Sequence, residues 1–529
     1  MRRLLSLALM LTLICSASLA QQVENLQRAI MLLDETMSKC FSGSSTNLKM
    51  YDTYDTSSLR GSGVADVWPY TAALEAHCSV LEALDLLKDF EPQLYADHHD
   101  RLVNRLRSLY DNLAYYRGSF TLVSYAQQKT WRVYGVHRSN TKGTATVTGI
   151  ENVYDDQMWI CRELVRAYRL TGDEDYLTTA YNLAEYCIDG WDCCLDDKGN
   201  EYGGISWGPG YNSKHSCSNG PLVQPLVWLS EIYAAQGEDE TANYKYCYIE
   251  PDKSRTYELR RPSDVFREFA VKIYEWQKKN LLNTSTGVYY DMLGADNTIQ
   301  YIKIGNRQYR DHVNTGNRGG TAYTYNTGTM IAGSAELGRI TGTKSYFDEN
   351  ARLCSASVSQ FTKTVTKDGE AYKRFPTDEK ATSGFNCWFN DVLIRACVDA
   401  YAMGNSSAQR SSKILLDAIQ KDLDYAWEHY LQDGFLPINL LEGWQETTVT
   451  KGFHQLAFAA EYAMLAVWHE RMNPTSVEPA DDPFDVGAVR VETYDLSGRH
   501  LSHSEKKGVV VERYMCADGT TASSRICYR

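Results

Sequence analysis

Two adjacent carboxylates, Asp155 and Asp156, stand at the head of an apolar run with helical periodicity that continues through CRELVRAYRL. Neighbouring side chains on a helix diverge by about 100°. The two acids can therefore stay close without sharing the same surroundings, which suits chemistry needing one ionised and one protonated carboxyl. The plain alternative is that Asp caps helices well and a second Asp in the first turn complements the helix dipole. The long loop before the pair and Trp159 one turn after it, placed to flank a ligand, favour the chemical reading.

Four further clusters combine glycine, aromatic and amide residues. Gly203-Gly204-Ile205-Ser206-Trp207 removes side chains where backbone could approach a ligand and then offers a stacking face. Lys214-His215-Ser216-Cys217-Ser218-Asn219 runs into a helix through Gly220-Pro221. Thr324-Tyr325-Asn326-Thr327-Gly328 heads another helix, as does Asp66-Val67-Trp68-Pro69-Tyr70. Each alone fits capping and packing. All of them open helices on the same side of the chain's organisation, and a shared pocket explains that better.

The elements that must position these residues are helical hairpins. Apolar spacing of three and four predicts pairs near 22–40 with 68–88, 98–116 with 154–170, 174–189 with 219–236, 263–281 with 325–340, 345–362 with 387–403, and 411–431 with 452–472. Two turns nearly repeat, RLTGD (169–173) before Tyr176 and RITGT (339–343) before Tyr346. In each, Gly closes one helix and the next polar residue is placed to cap another. Repeated helix-turn-helix units stack as an open array or close into a ring. Long loops (41–67, 117–153, 190–218, 283–324, 363–386 and 432–451) fall on one side, and short turns on the other except at 237–262, so a closed ring would be a bowl. A β-ribbon is expected from 131–138 and 144–149 around the turn 139–143.

Composition narrows the partners. The 529 residues carry a net charge of -13, which becomes -15 if Arg2 and Arg3 leave with a leader. That balance disfavours nucleic acid and anionic membranes and favours a neutral or cationic partner. Aromatics make up 12%, with 37 Tyr and 11 Trp. Most of these are accounted for by helix packing, but Tyr and Trp also supply the flat apolar faces that sugar sites use. Residues 1–20 have the basic start, short apolar stretch and small residues of a cleaved export signal, with lipidation at Cys15 as the alternative. No later stretch is apolar and long enough to span a bilayer. Of the 14 cysteines, Cys15 would leave with the signal and thirteen would remain. Cys193, Cys194, His215 and Cys217 match no zinc spacing, and a disulfide from Cys193 or Cys194 to Cys217 is the stronger expectation there.

From about residue 22 to 470 the chain resembles glycoside hydrolase family 76, the endo-acting α-1,6-mannanases. The resemblance is carried by Tyr154-Asp155-Asp156 through Trp159, TGDEDYL (171–177), GGISW (203–207), KHSCSNGPL (214–222) and YTYNTGTMIAGSAEL (323–337). It implies an all-α (α/α)6 barrel with β-ribbon loops on one face, agreeing with the six hairpins counted from periodicity. It also implies a retaining hydrolase with Asp155 as nucleophile and Asp156 as general acid/base. Lys214, Asn219, Tyr325 and Asn326 would bind sugar hydroxyls, Asp66, Trp68 and Trp207 would wall the subsites, and Gly204 would give backbone access. No metal or organic cofactor is implied. The partner would be a mannose-rich polysaccharide or oligosaccharide, and the protein an exported monomer. Ser206 before Trp207 departs from the bulkier aromatic signature more usual there and leaves subsite preference open. Two alternatives remain: another barrel hydrolase or epimerase acting on a different sugar, and a non-catalytic glycan-binding protein. The expected organisation is a signal over 1–20, a catalytic domain over 21–472, a Pro-rich linker over 473–486 and a strand-forming segment over 487–529. That last segment resembles the C-terminal sorting domains of Bacteroidetes exports through YDLSGR (494–499) and KGVVV (507–511).

Overall fold

A computed structural model of the chain describes residues 2–294, 297–378, 384–445, 447–472, 488–494, 509–516 and 521–528. Among them are twelve α-helices: α1 (Arg2–Lys39), α2 (Val67–Leu87), α3 (Pro92–Leu113), α4 (Tyr154–Thr171), α5 (Glu174–Asp189), α6 (Gly220–Ala234), α7 (Pro262–Leu281), α8 (Thr324–Thr341), α9 (Lys344–Phe361), α10 (Asn386–Ala402), α11 (Ser406–Tyr430) and α12 (Gly452–Met472). The even-numbered helices touch in the order α2, α4, α6, α8, α10, α12 and back to α2, which closes an inner ring. The odd-numbered helices pack outside it. This is an (α/α)6 barrel, and the helices occupy the six predicted pairs.

The division into two rings follows from side-chain pattern. α12 is buried almost all round, from Gly452 to Trp468, as an inner helix sandwiched between neighbours must be. The outer helix α3 buries an apolar stripe at Leu102, Leu106, Leu109 and Leu113, spaced by four and three, with Asn112 beside it. The two repeated turns both end their helix on a left-handed glycine, Gly172 at φ 70° and Gly342 at φ 64°. Asp173 then caps α5 by accepting from the Asp175 N–H at 3.0 Å, whereas Thr343 makes no side-chain cap to α9.

The long loops gather at one end and are tied to one another by short sheets. Thr53–Asp55 pairs with Val449–Thr450, joining the first long loop to the last. Lys214–His215 pairs with Met292–Leu293, which pairs in turn with Arg318–Gly319. The ribbon expected from 131–138 and 144–149 forms with a different partner: Gln128–Tyr134 pairs with Arg117–Val123. The reason is local. Ser124 N–H reaches Gln127 O at 2.8 Å and closes a tight turn, while Gly143 N–H is held by Ala114 O at 2.7 Å, folding 139–143 back onto the end of α3.

Residues 1–473 and 474–529 are separate compact units. In the second, Ala488–Tyr494, Val509–Cys516 and Thr521–Tyr528 form an antiparallel sheet in chain order. The linker over 473–486, residues 495–499 of the first sorting-like motif and residues 507–508 of the second lie outside the described residues.

Candidate active site

The loop-rich end of the barrel holds a cleft of about 670 Å³. Asp155 and Asp156 lie on its floor in the first turn of α4. The start of α4 is fixed by three anchors. The Tyr154 N–H donates to Trp207 O at 2.8 Å. Gln157 exchanges two hydrogen bonds with the Tyr134 backbone, at 3.0 and 2.7 Å, and so locks the helix to the ribbon. Asn152 donates to Tyr186 Oη at 2.8 Å. Fixed in this way, the helix presents free N–H groups to carboxylates in its first turn.

The two acids differ in what surrounds them. Asp155 accepts from Trp207 Nε1 at 3.3 Å and from the Asp156 N–H at 3.0 Å, and the Cys217 thiol also donates to it. Burial pushes its pKa up from the ordinary carboxylate range, and these donors pull in the opposite direction. Asp156 is 7% exposed, and its pKa is driven well above the ordinary range by burial first and then by the charges of Asp155 and Asp66. Of the pair, Asp155 is therefore the readier to ionise and Asp156 the readier to keep a proton.

Aromatic rings make the walls. Trp207 stacks on His215 at 4.9 Å and leans on Tyr211 at 4.6 Å. Trp68 meets Phe385 at 4.7 Å and Trp388 at 5.1 Å, and Trp159 meets Trp388 edge-on at 4.8 Å. Tyr325 packs on Phe389 at 4.6 Å and donates to Asp291 Oδ1 at 2.9 Å. Asp66, at the rim, pairs with His137 Nδ1 at 2.7 Å, a contact that raises the His137 pKa. Beneath the floor, Arg395 lies 5.2 Å from the Trp159 ring and 5.8 Å from that of Trp388, and its guanidinium pairs with Glu75.

The structure brings Asp66, Trp68, Asp155, Asp156, Trp207 and Tyr325 together around the cleft. Gly204, Lys214, Asn219 and Asn326 do not line it. Gly204, at φ +77°, is required because a Cβ there would come within 2.4 Å of the Trp276 ring, so it makes room for a tryptophan and not for a ligand. Lys214 is buried and spends its ammonium on Asp192 at 2.8 Å and Gly203 O at 2.5 Å. Asn219 mimics backbone: it accepts from the Ile205 N–H and donates to Ile205 O, both at 2.9 Å. Asn326 is fully buried and donates to Thr321 O at 3.3 Å. These four hold the walls in place from behind.

His215 and Cys217, from the Lys214–Asn219 cluster, line the cleft, and so do residues that the sequence did not mark: Asp291, and Phe385, Trp388 and Phe389 from α10 and the residue before it. Cys217 was within a motif already noted, but its spacing gave no sign of a contact with Asp155. That contact also separates it from Cys193 and Cys194: the Cys193 thiol lies against Cys247, and Cys194 Sγ faces Asp311 Oδ1 at 3.9 Å. The expected disulfide to Cys217 is absent, and all three thiols are free.

The family model for glycosyl hydrolase family 76 matches residues 112–243 and 256–480. Among solved structures, the fold is similar to a family 76 glycoside hydrolase (mannosidase) from Bacteroides thetaiotaomicron, at 22% identity and a TM-score of 0.59, covering 85% of this chain and 100% of that one. It is also similar to an α-1,6-mannanase of the family from a Salegentibacter species, at 18% identity and a TM-score of 0.53, covering 84% and 99%. A variant of the latter with two adjacent aspartates changed is inactive and was solved with α-1,6-mannotriose; it matches at 16% identity and 0.53, covering 84% and 99%. No curated protein matches.

Proposed function

The chain belongs to glycosyl hydrolase family 76, and from that premise we propose that it is a retaining endo-α-1,6-mannanase cutting the backbone of a mannose-rich polysaccharide. The observation that carries the reading is the unequal pair on the cleft floor: Asp155 takes hydrogen bonds from Trp207 Nε1 and the Asp156 N–H, whereas Asp156 is buried and its pKa is driven up by that burial and by the charges of Asp155 and Asp66.

In this reading Asp155 attacks the anomeric carbon while Asp156 gives its proton to the departing glycosidic oxygen. The glycosyl ester on Asp155 is then hydrolysed by a water that Asp156, now ionised, deprotonates. The order suits the electrostatics. Once Asp155 is esterified its charge is gone, so one of the influences raising the Asp156 pKa disappears. Asp156 has become an ion with less repulsion around it when it must act as a base.

The cleft supports a neutral substrate. Asp52, Asp66, Asp291 and Asp378 line it besides the catalytic pair, and Lys451, the lysine among its lining residues, is bound to Asp52 at 2.9 Å. Such a field repels uronates and phosphates, while Trp68, Trp207 and Tyr325 offer faces for pyranose rings. The leader-like start of the sequence supports action after export, on glycan outside the cytoplasm.

The test is a product profile on unbranched α-1,6-mannan, with proton NMR of the first anomer formed. Internal cleavage with retention is expected. Release of inverted product, preference for uronate oligosaccharides, or binding without any new reducing ends would each overturn the proposal. Asp155→Ala and Asp156→Ala should lower turnover by about 10⁴-fold or more, because each removes a covalent or a proton-transfer step.

A further inference from the structure

Between α6 and α7 the chain makes an excursion with a hairpin of Tyr244–Ile249 and Arg255–Arg260. This hairpin stands on the barrel's flank and is held there by polar contacts: Tyr257 Oη donates to Ala126 O at 2.7 Å, and Tyr246 Oη to Glu268 at 2.6 Å. At its base a small cavity of about 40 Å³ is lined by Cys193, from the loop after α5, and Cys247, from the hairpin. Each thiol is the strongest electrostatic influence on the other, and Cys247 Sγ otherwise meets backbone carbonyls, Ala126 O at 3.8 Å and Tyr248 O at 3.7 Å. We propose that Cys193 and Cys247 are a disulfide-forming pair that staples the inserted hairpin to the loop carrying the active-site wall.

The chemistry of the two sulfurs is unequal in the sense that exchange requires. Cys247 is half-buried, with Arg255 and Lys245 nearby, and its pKa is lowered by the Cys193 thiol first and also by Arg255. Cys193 is buried, and its pKa is raised by the Cys247 thiol first and then by burial. Cys247 thiolate attacks one sulfur of a small-molecule disulfide such as glutathione disulfide and expels one thiolate. Cys193, deprotonated as it reacts, then attacks Cys247 Sγ and expels the second. Two protein thiols are oxidised, one disulfide is reduced to two thiols, and the two protons leave with them. The neighbouring Cys194 is not the partner, because its sulfur faces Asp311.

The staple would matter to the cleft. Cys193 directly follows Asp192, which anchors both Lys214 and His312 Nδ1, the latter at 2.7 Å. Tying that loop to the hairpin restrains the unfolded chain and the wall together.

The full chain, incubated with glutathione disulfide, blocked with N-ethylmaleimide and digested without reductant, should yield a peptide joining Cys193 to Cys247 that disappears on reduction. Cys194→Ser should retain it. The oxidised protein should melt several degrees higher than the reduced one, and Cys247→Ser should abolish that difference. Recovery of Cys193 and Cys247 both carrying the maleimide, or of Cys247 joined to Cys194, would overturn the proposal. These readouts are independent of glycan hydrolysis.

Discussion

At the scale of single residues, the division of labour between Asp155 and Asp156 comes from what donates to each. Trp207 Nε1 is one of the donors that favour the ionised form of Asp155. Trp207→Phe keeps a ring against His215 but removes that donor, so the Asp155 pKa rises further. The acidic limb of the kcat/KM profile should then move to higher pH, as a pH series on mannan would record. Asp156 has a consequence for stability. Its folded pKa is raised, so between the ordinary aspartate value near 3.9 and that raised value the folded state holds a proton that the unfolded chain has released. Stability is therefore lost as pH rises through this window. Asp156→Asn carries no such dependence. It should be more stable than the parent at pH 7 by upwards of about 1 kcal/mol, and the gain should vanish as the pH approaches 4 in a series of thermal melts.

At the scale of elements, the wall formed by residues 203–219 is held by groups that the substrate never touches. Lys214 and Asp192 are buried partners, and although burial opposes it, Lys214 and His312 hold the Asp192 carboxyl below its usual range. Lys214→Met leaves that carboxylate short of its main counter-charge. Loss of about 3–5 kcal/mol of stability is expected by analogy with other broken buried pairs, measurable by denaturant titration. The rate per folded molecule should fall far less than on loss of either catalytic aspartate. A ligand-binding role for Lys214 would instead appear as a raised KM with unchanged stability.

At the scale of the whole molecule, the inner ring is closed by helix contacts within residues 1–473, and residues 474–529 form their own compact unit. A chain ending at Asn473 should therefore fold and hydrolyse mannan at a rate within about twofold of the full chain, as expected of a unit with its own core. Circular dichroism and turnover on the shortened chain would check this. A collapse of either would place part of the barrel's stability in the C-terminal segment.

Much of this was legible in the chain because it is local. A helix is bonded within itself and advertises its buried stripe at three- and four-residue spacing, so the six hairpins, the Gly172 and Gly342 stops and the start of α4 at the aspartate pair all follow from short stretches. The adjacency of Asp155 and Asp156 is covalent, and their shared placement on one helix turn needs no tertiary information. What only the tertiary structure decided are the contacts between distant segments. Gly204 is shaped by Trp276, and Lys214 is neutralised by Asp192. Asp291 and Cys217 reach the site from separate loops, and Cys193 meets Cys247. A polar residue beside a pocket and one inside it have the same sequence signature. They are told apart by which partner burial brings within hydrogen-bond reach, and that is a property of the closed ring, not of any one of its segments.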